Sequence, residues 1–374
     1  MMKALVLEEV GKLEYKEVEK PVPKAGEVIV RVKAAGICGS DVPRAYKEGA
    51  HNMPLIIGHE FAGIVDSVGD GISADLVGKR VGVFPLIPCK KCRPCRNGQY
   101  EMCRNYNYLG SRCNGGFAEY VAVPEWNLME LPDNVSYEAA AMIEPMAVAC
   151  HAMKRSLTGL AHILHRRCGM PSARLERPES GRYPVIAVCG LGTIGTFLVT
   201  FILEAGYKNL LVIGNKEFQK KTVSELGVPA ENYCDSRKEN AHDFIMDHTD
   251  GYGADVFFEC VGSNEVASFA VDSVAPAGRI CFVGNPHSDM TFDKPVYWKI
   301  LRNQITINGT WNSSFLGDDE IEDDWRYVLK RLASGKVDAE RLITQRYSLE
   351  DIPLGFELMR DKTEDYVKVM CTIE

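Results

Sequence analysis

Pro184-Val-Ile-Ala-Val-Cys-Gly-Leu-Gly-Thr-Ile-Gly195 decides the fold class of this 374-residue chain. Residues 185–189 are an apolar run that reads as a parallel strand buried on both faces, and residues 196–205 read as a helix packed on it. Between them stands Gly190-x-Gly192-x-x-Gly195, with Thr193 and Ile194 inside the turn. Glycines at that spacing permit a tight turn and let a pyrophosphate approach the helix N-terminus, so the turn is read as dinucleotide-binding. Residues 184–203 are uncharged and long enough to cross a membrane, but the glycines interrupt the run, and strand, turn and helix is the better reading.

Outward from the turn, apolar strands alternate with helical segments from 184 to 311: 185–189, 210–213, 254–260, 279–283 and 305–309. That alternation predicts an α/β domain with a doubly wound parallel sheet. The strand at 210–213 should end in an acid that holds the ribose diol of NAD. It ends instead in Gly214-Asn215-Lys216, with no carboxylate and with a cation beside it, which favours NADP(H) over NAD(H). The alternative is that Gly214 and Asn215 only turn the chain and Glu217 takes the diol from a shifted position.

Residues 1–150 read differently, as short strands such as 28–32 and 63–68 punctuated by Gly and Pro. The long loops of this β-rich unit carry two sets of metal-ligand residues. Cys89-x2-Cys92-x2-Cys95-x7-Cys103 lies in a polar lobe, 85–113, that cannot bury enough apolar surface to order itself. Four thiolates close a tetrahedral zinc shell, so this ion is structural. The second set is mixed: Cys38, His59, Glu60 and Glu144. One thiolate, one imidazole and a carboxylate or two suit zinc with a vacant position, a Lewis acid for a substrate alcohol as hydride leaves. Pro145 suits the first position of a helix, placing Glu144 at a rigid start. Ser40 and His51 are candidate proton carriers. Singly, each of these residues has a duller reading as a core filler, a hydrogen-bonded core histidine or a surface charge.

The balance of 43 Lys and Arg against 51 Asp and Glu gives a net charge of −8, which argues against nucleic acid and anionic membranes as partners. The N-terminus is too acidic and its apolar run too short for a signal peptide. Thirteen cysteines then point to a reducing, cytoplasmic setting where thiolates serve metals. Cys113, Cys150, Cys168, Cys189, Cys234, Cys260, Cys281 and Cys371 lack ligand spacing and read mostly as small apolar fillers. A basic piece, 151–183, joins the two regions and holds Arg155, Arg166, Arg167, Arg174, Arg177 and Arg182 with His162 and His165. It reads as a connecting helix and exposed loop, or as an anion or subunit contact. From 312 to 374 helix and strand mix again, and the acidic run Asp318-Asp-Glu-Ile-Glu-Asp-Asp324 reads as a solvated helix start.

Taken together, these residues resemble the zinc-containing medium-chain dehydrogenases. Ile143-Glu144-Pro145 points to the polyol branch. Cys38-Gly-Ser-Asp-Val-Pro-Arg44, Gly49-Ala-His51, Pro85-Leu-Ile-Pro-Cys89 and Gly110-Ser-Arg112…Gly115-Gly-Phe-Ala-Glu-Tyr120 resemble those members that act on sugar-alcohol phosphates. The resemblance implies a GroES-like β-rich catalytic domain (1–150, completed by 312–374) and a Rossmann domain (184–311). It also implies a catalytic zinc at Cys38, His59 and Glu144, with Glu60 as adjacent or alternate ligand, and a homodimer or homotetramer. A phosphorylated substrate would need cations, for which Arg44, Lys47 and Arg112 are the candidates. Two departures stand out: the long basic connection, and Gly214 where the family carries an acid. The rival readings are ketose-phosphate reduction, oxidation of threonine or a simple alcohol, and nucleotide sensing without turnover.

Overall fold

The computed structural model describes residues 1–158, 184–286, 288–318 and 320–374. Its contacts divide the chain into two compact units, Met1–Ala147 with Ser313–Glu374, and Val148–Asn312.

The second unit is built on six parallel strands. They lie in the order Tyr233–Asp235, Leu210–Gly214, Ile186–Cys189, Ala254–Glu259, Val274–Phe282 and Thr306–Gly309. The order reverses between Ile186–Cys189 and Ala254–Glu259, the place where doubly wound sheets bind ligands beyond their strand ends. Ile186, Ala187 and Val188 have no exposed surface, so both faces of the first strand are covered, as its unbroken apolar run requires. The helix after the turn is Thr193–Glu204, three residues earlier than the sequence reading, because Gly192 itself is the N-cap. Tyr233–Asp235 escaped that reading, since Tyr-Cys-Asp is too short and polar to register as an apolar run. Val274–Phe282 begins before 279 because Pro276 and Gly278 disguise its first half.

The first unit has a sheet in the order Leu128–Glu130, Arg80–Val83, Glu60–Val68, Glu27–Gly36, Lys368–Thr372 and Ile343–Ser348. Tyr120–Pro124 also pairs with Glu27–Gly36. A smaller sheet joins Lys12–Val18, Met2–Glu9 and Leu55–Ile56. Val28, Val30 and Val32 alternate inward from the central strand and pack with Phe61, Phe117, Phe356 and Val369. The late strand Lys368–Thr372 runs antiparallel to Glu27–Gly36, with Met370 opposite Gly36. Residues 1–150 are not all β: Tyr137–Ala141 is a helix, and the helix Ile143–Leu157 begins there.

Two expectations need correction. The acidic run is not wholly solvated. Asp323 and Asp324 are buried: Asp323 caps the helix Asp324–Ala333 by accepting from the Arg326 backbone N–H, and Asp324 accepts from the Ser314 N–H at 2.9 Å. Pro145 is the third residue of Ile143–Leu157 rather than the first, still within the turn whose N–H groups lack helical partners. Arg155 lies in that helix's last turn. His162, His165, Arg166, Arg167, Cys168, Arg174, Arg177 and Arg182 lie outside the described residues. Among the described residues, no helix is long and apolar enough to cross a membrane.

Candidate metal centres and cofactor turn

The mixed donors sit at strand and helix ends rather than in long loops. Cys38 follows the strand Glu27–Gly36, Glu60 opens Glu60–Val68, and His59 immediately precedes it. Gly36 stands opposite Glu60 in the ladder, and a Cβ there would collide with the Glu60 carboxylate and the Lys368 side chain, so glycine makes the space they occupy. One ligand atom from each of Cys38, His59 and Glu60 lies within 4.8 Å of the others. Glu144, in the first turn of its helix, stands beside this set and accepts a hydrogen bond from the Tyr108 hydroxyl at 3.1 Å.

Four side chains hold these donors, three of them given no role in the sequence reading. Asp41, fully buried, accepts from the Cys38 backbone N–H at 3.1 Å, pairs with Arg44, and brings Oδ1 to 3.3 Å from His59 Nδ1. That last approach has the distance of an ion pair but not the alignment of a hydrogen bond, and His59 Nδ1 has no other partner. Lys368, 1% exposed, pairs with Glu60 and donates to the Ile37 carbonyl at 2.9 Å. Tyr108 is the third and Arg44, foreseen only as a substrate contact, the fourth. Asp41 and Lys368 are distant or anonymous in sequence: only a buried charge opposite a ligand would mark them, and burial is not visible there.

Burial acts first on each of these groups. It pushes the Asp41 carboxyl up, but His59, Arg44 and the Cys38 N–H outweigh it and hold it below the usual carboxylate range. Burial opposes the charge on His59, yet Asp41 and Cys38 hold its pKa well above the ordinary value. Burial, with the charge of Glu60, pushes Glu144 up to about 7 despite His59 and Tyr108. Asp41, Glu60 and Glu144 are thus buried together with the Cys38 thiol against Arg44, Lys368 and one imidazole, a concentration of donor groups in one place that suits a cation. The donor set therefore fits a divalent zinc ion with fewer than four protein ligands.

Ser40 donates to Cys38 Sγ at 3.3 Å, while His51 is exposed. Lys47 is exposed on the five-residue segment Arg44–Glu48, and the Arg112 guanidinium lies 4.3 Å from the Tyr106 ring centre. Arg44 is committed to Asp41, which takes it out of the role of a simple substrate cation.

The four sulfurs of Cys89, Cys92, Cys95 and Cys103 also lie within 4.8 Å of one another. Cys92 Sγ is 3.4 Å from Cys95 Sγ and 3.9 Å from Cys103 Sγ. Ligands at about 2.3 Å from a tetrahedral zinc stand about 3.8 Å apart, so the spacing fits the ion. The backbone N–H groups of Cys95 and Arg104 pull the Cys92 thiol down to about 6, whereas burial pushes Cys95 up to about 12. An aromatic group seats the lobe: Tyr100 meets Trp126 at 4.9 Å, and Trp126 meets Phe315 at 5.2 Å between ring centres. Of the remaining cysteines, Cys150, Cys189, Cys234, Cys281 and Cys371 are buried, and Cys113 and Cys260 are half-buried.

In the second unit Gly190 has φ of +96°, and a Cβ at Gly195 would strike the Gly190 carbonyl, so the turn demands both glycines. Gly192 caps the following helix without a side-chain acceptor. At the next strand end, a Cβ on Gly214 would lie 2.8 Å from both Gln219 Oε1 and the Tyr233 hydroxyl. A side chain at 214 would have to move Gln219, which accepts from the Asn215 N–H at 3.0 Å and donates to the Leu191 carbonyl at 3.1 Å. Lys216 Nζ lies 5.4 Å from the Phe218 ring centre. Glu217, the alternative diol ligand, pairs with Lys238 at 3.4 Å. Sequence reasoning missed Arg237. It forks onto Asp235 at 3.0 and 2.7 Å, one residue after Ser236, whose N–H donates to the Gly214 carbonyl at 2.9 Å.

Comparison with known proteins agrees with both halves. Residues 24–133 match the family profile of the alcohol dehydrogenase GroES-like domain, and residues 193–334 that of the zinc-binding dehydrogenase. The galactitol 1-phosphate 5-dehydrogenase of Escherichia coli strain K12 is 30% identical over 327 residues, covering 87% of this chain and 86% of that one. A structure from Sinorhizobium meliloti 1021 bound to NADP superposes with a TM-score of 0.83 at 25% identity, over 100% of this chain and 99% of the other. One from Escherichia coli CFT073 complexed with NADH gives 0.81 at 26%, over 99% of each chain.

Proposed function

The chain belongs to the zinc-binding medium-chain dehydrogenases, in their polyol branch, and on that premise we propose that it oxidises a secondary hydroxyl of a polyol or sugar-alcohol phosphate with NADP⁺ in preference to NAD⁺. The observation that carries this reading is the buried convergence of Cys38, His59 and Glu60 within 4.8 Å. Cys38, His59 and Glu60 would hold one zinc ion, with Glu144 beside them, and the four lobe cysteines a second. When bound, the first supplies Lewis acidity to the substrate hydroxyl and the second a cross-link.

The chain's own groups do the rest. Asp41 keeps the His59 ring in place, and Lys368 does so for Glu60. Ser40, beside Cys38 Sγ, accepts the hydroxyl proton as it passes its own to His51, which releases one to solvent. A bound NADP⁺, held at the turn Gly190–Gly195, would supply the hydride acceptor, so that the alcohol would leave as a ketone. Lys47 and Arg112 are the cations left to meet a substrate phosphate. Lys216 and Arg237, the latter exposed so that its ion pair with Asp235 is open to exchange, support NADP(H), as does the lack of a carboxylate at Gly214. A homodimer or homotetramer is supported by the exposed Tyr297, Trp298 and Leu301 on the helix Lys294–Arg302, and by the exposed Ile307 on the edge strand Thr306–Gly309 that follows it, with Trp311 just after. The free thiols accord with a reducing cytoplasm.

The test is turnover of galactitol 1-phosphate against sorbitol and unphosphorylated galactitol, with NAD⁺ and NADP⁺ in parallel, on protein assayed for zinc. Turnover of none of them by protein holding two zinc ions per chain would overturn the reading.

A further inference from the structure

Two buried carboxylates, Glu60 and Glu144, lie close enough for the charge of one to act on the other, and two like charges so placed need separate partners. Glu60 has Lys368. Glu144 has the hydroxyl of Tyr108 at 3.1 Å, and the reaction outlined above gives that tyrosine no task. Tyr108 stands on the short strand Asn107–Tyr108, which pairs with Leu86–Ile87 at the foot of the four-cysteine lobe. Its ring meets His59 edge-on, with centres 5.8 Å apart and planes at 70°. One side chain rooted in the lobe thus touches two of the four mixed-site residues. The donor atoms that converge tightly are those of Cys38, His59 and Glu60, not Glu144.

We propose that Tyr108 is a positioning residue that holds Glu144 back from the Cys38–His59–Glu60 set, keeping open the position a substrate hydroxyl needs. This rests on the reading that the set holds a zinc ion. A carboxylate freed inside a buried site, next to a divalent cation, has one better partner than water, which is the cation. Without the Tyr108 hydroxyl, Glu144 closes onto the ion and competes with substrate.

The experiment uses the full-length protein with Co²⁺ exchanged into the mixed site, whose visible absorption reports its ligand number, together with metal counts and kinetics. Tyr108→Phe keeps the ring and removes only the hydroxyl. It should keep two metal ions per chain, shift the cobalt spectrum, slow release of the ion to a chelator, and raise the KM for the alcohol about tenfold, the loss of one hydrogen bond to a charged group. Glu144→Gln alone should leave the cobalt spectrum as in the parent, because Glu144 is not a ligand there. Adding Tyr108→Phe to Glu144→Gln should change nothing further. An unshifted spectrum and KM in Tyr108→Phe overturn the inference, as does a spectrum altered by Glu144→Gln. Should Tyr108→Phe not fold, the Glu144→Gln spectrum still decides. A parent holding only one metal ion, lost with Cys92→Ser, would instead remove the reading of the mixed site and the inference with it.

Discussion

Lys368→Met tests the electrostatics of the mixed site most directly. Lys368 and Glu60 are each 1% exposed, and the ammonium also satisfies the Ile37 carbonyl. Methionine matches the four-atom stem of lysine and removes the ammonium. Breaking a buried ion pair from one side leaves an uncompensated charge and destabilises by about 3–5 kcal/mol. For a domain of this size each kcal/mol moves the melting temperature by about 2–4 °C, so the metal-free variant should melt roughly 6–20 °C lower than the metal-free parent. Zinc offers Glu60 a second partner, so in the metal-loaded proteins the gap between variant and parent should shrink to less than half. The assay is four thermal melts, parent and variant, each with excess zinc and after chelation. Losses from emptying the cysteine lobe are common to both proteins and cancel in the double difference. An equal gap with and without metal would refute the idea that Lys368 and a bound cation share Glu60.

Cys92→Ser should lower the zinc content by one ion per chain and expose the lobe to proteolysis, while the cobalt spectrum of the mixed site persists; metal analysis and limited digestion check this. Arg237→Ala should raise the KM for NADP⁺ about tenfold and leave that for NAD⁺ within twofold, since only a 2′-phosphate needs the cation; steady-state kinetics with both cofactors decides. Glu144 carries a pH signature in the metal-free protein. Its folded pKa is raised from 4.5 to about 7, so its contribution is fully favourable below 4.5 and is lost as pH rises through 7. Relative to Glu144→Gln, the metal-free parent should therefore lose melting temperature across that window, and parallel curves would contradict the assignment.

What could be read from sequence is whatever physics writes locally. The run before Gly190 and the spacing of its glycines announce strand, turn and helix because each is decided by near neighbours. The four cysteines announce themselves because a zinc shell built on one loop needs tight spacing. What stayed hidden was decided across the fold. Nothing near Lys368 marks it as the partner of a carboxylate 308 positions earlier. Asp41, three residues from Cys38, reads as an ordinary turn residue until its burial is known. Gly214 looked like an absence, and in three dimensions it is a space already taken by Gln219 and Tyr233.

The pairing of an early strand with a late one has a consequence for biosynthesis. While the ribosome is still adding the middle of the protein, Glu27–Gly36 and Glu60 have been made and Lys368 has not. A nascent chain that closed this sheet prematurely would trap a carboxylate with no ammonium to meet it, unless a metal ion from the surroundings arrived first. Maturation of the centre is thereby ordered in time: either the ion enters during translation and steadies a half-built β-unit, or the unit waits, open, for its last strand.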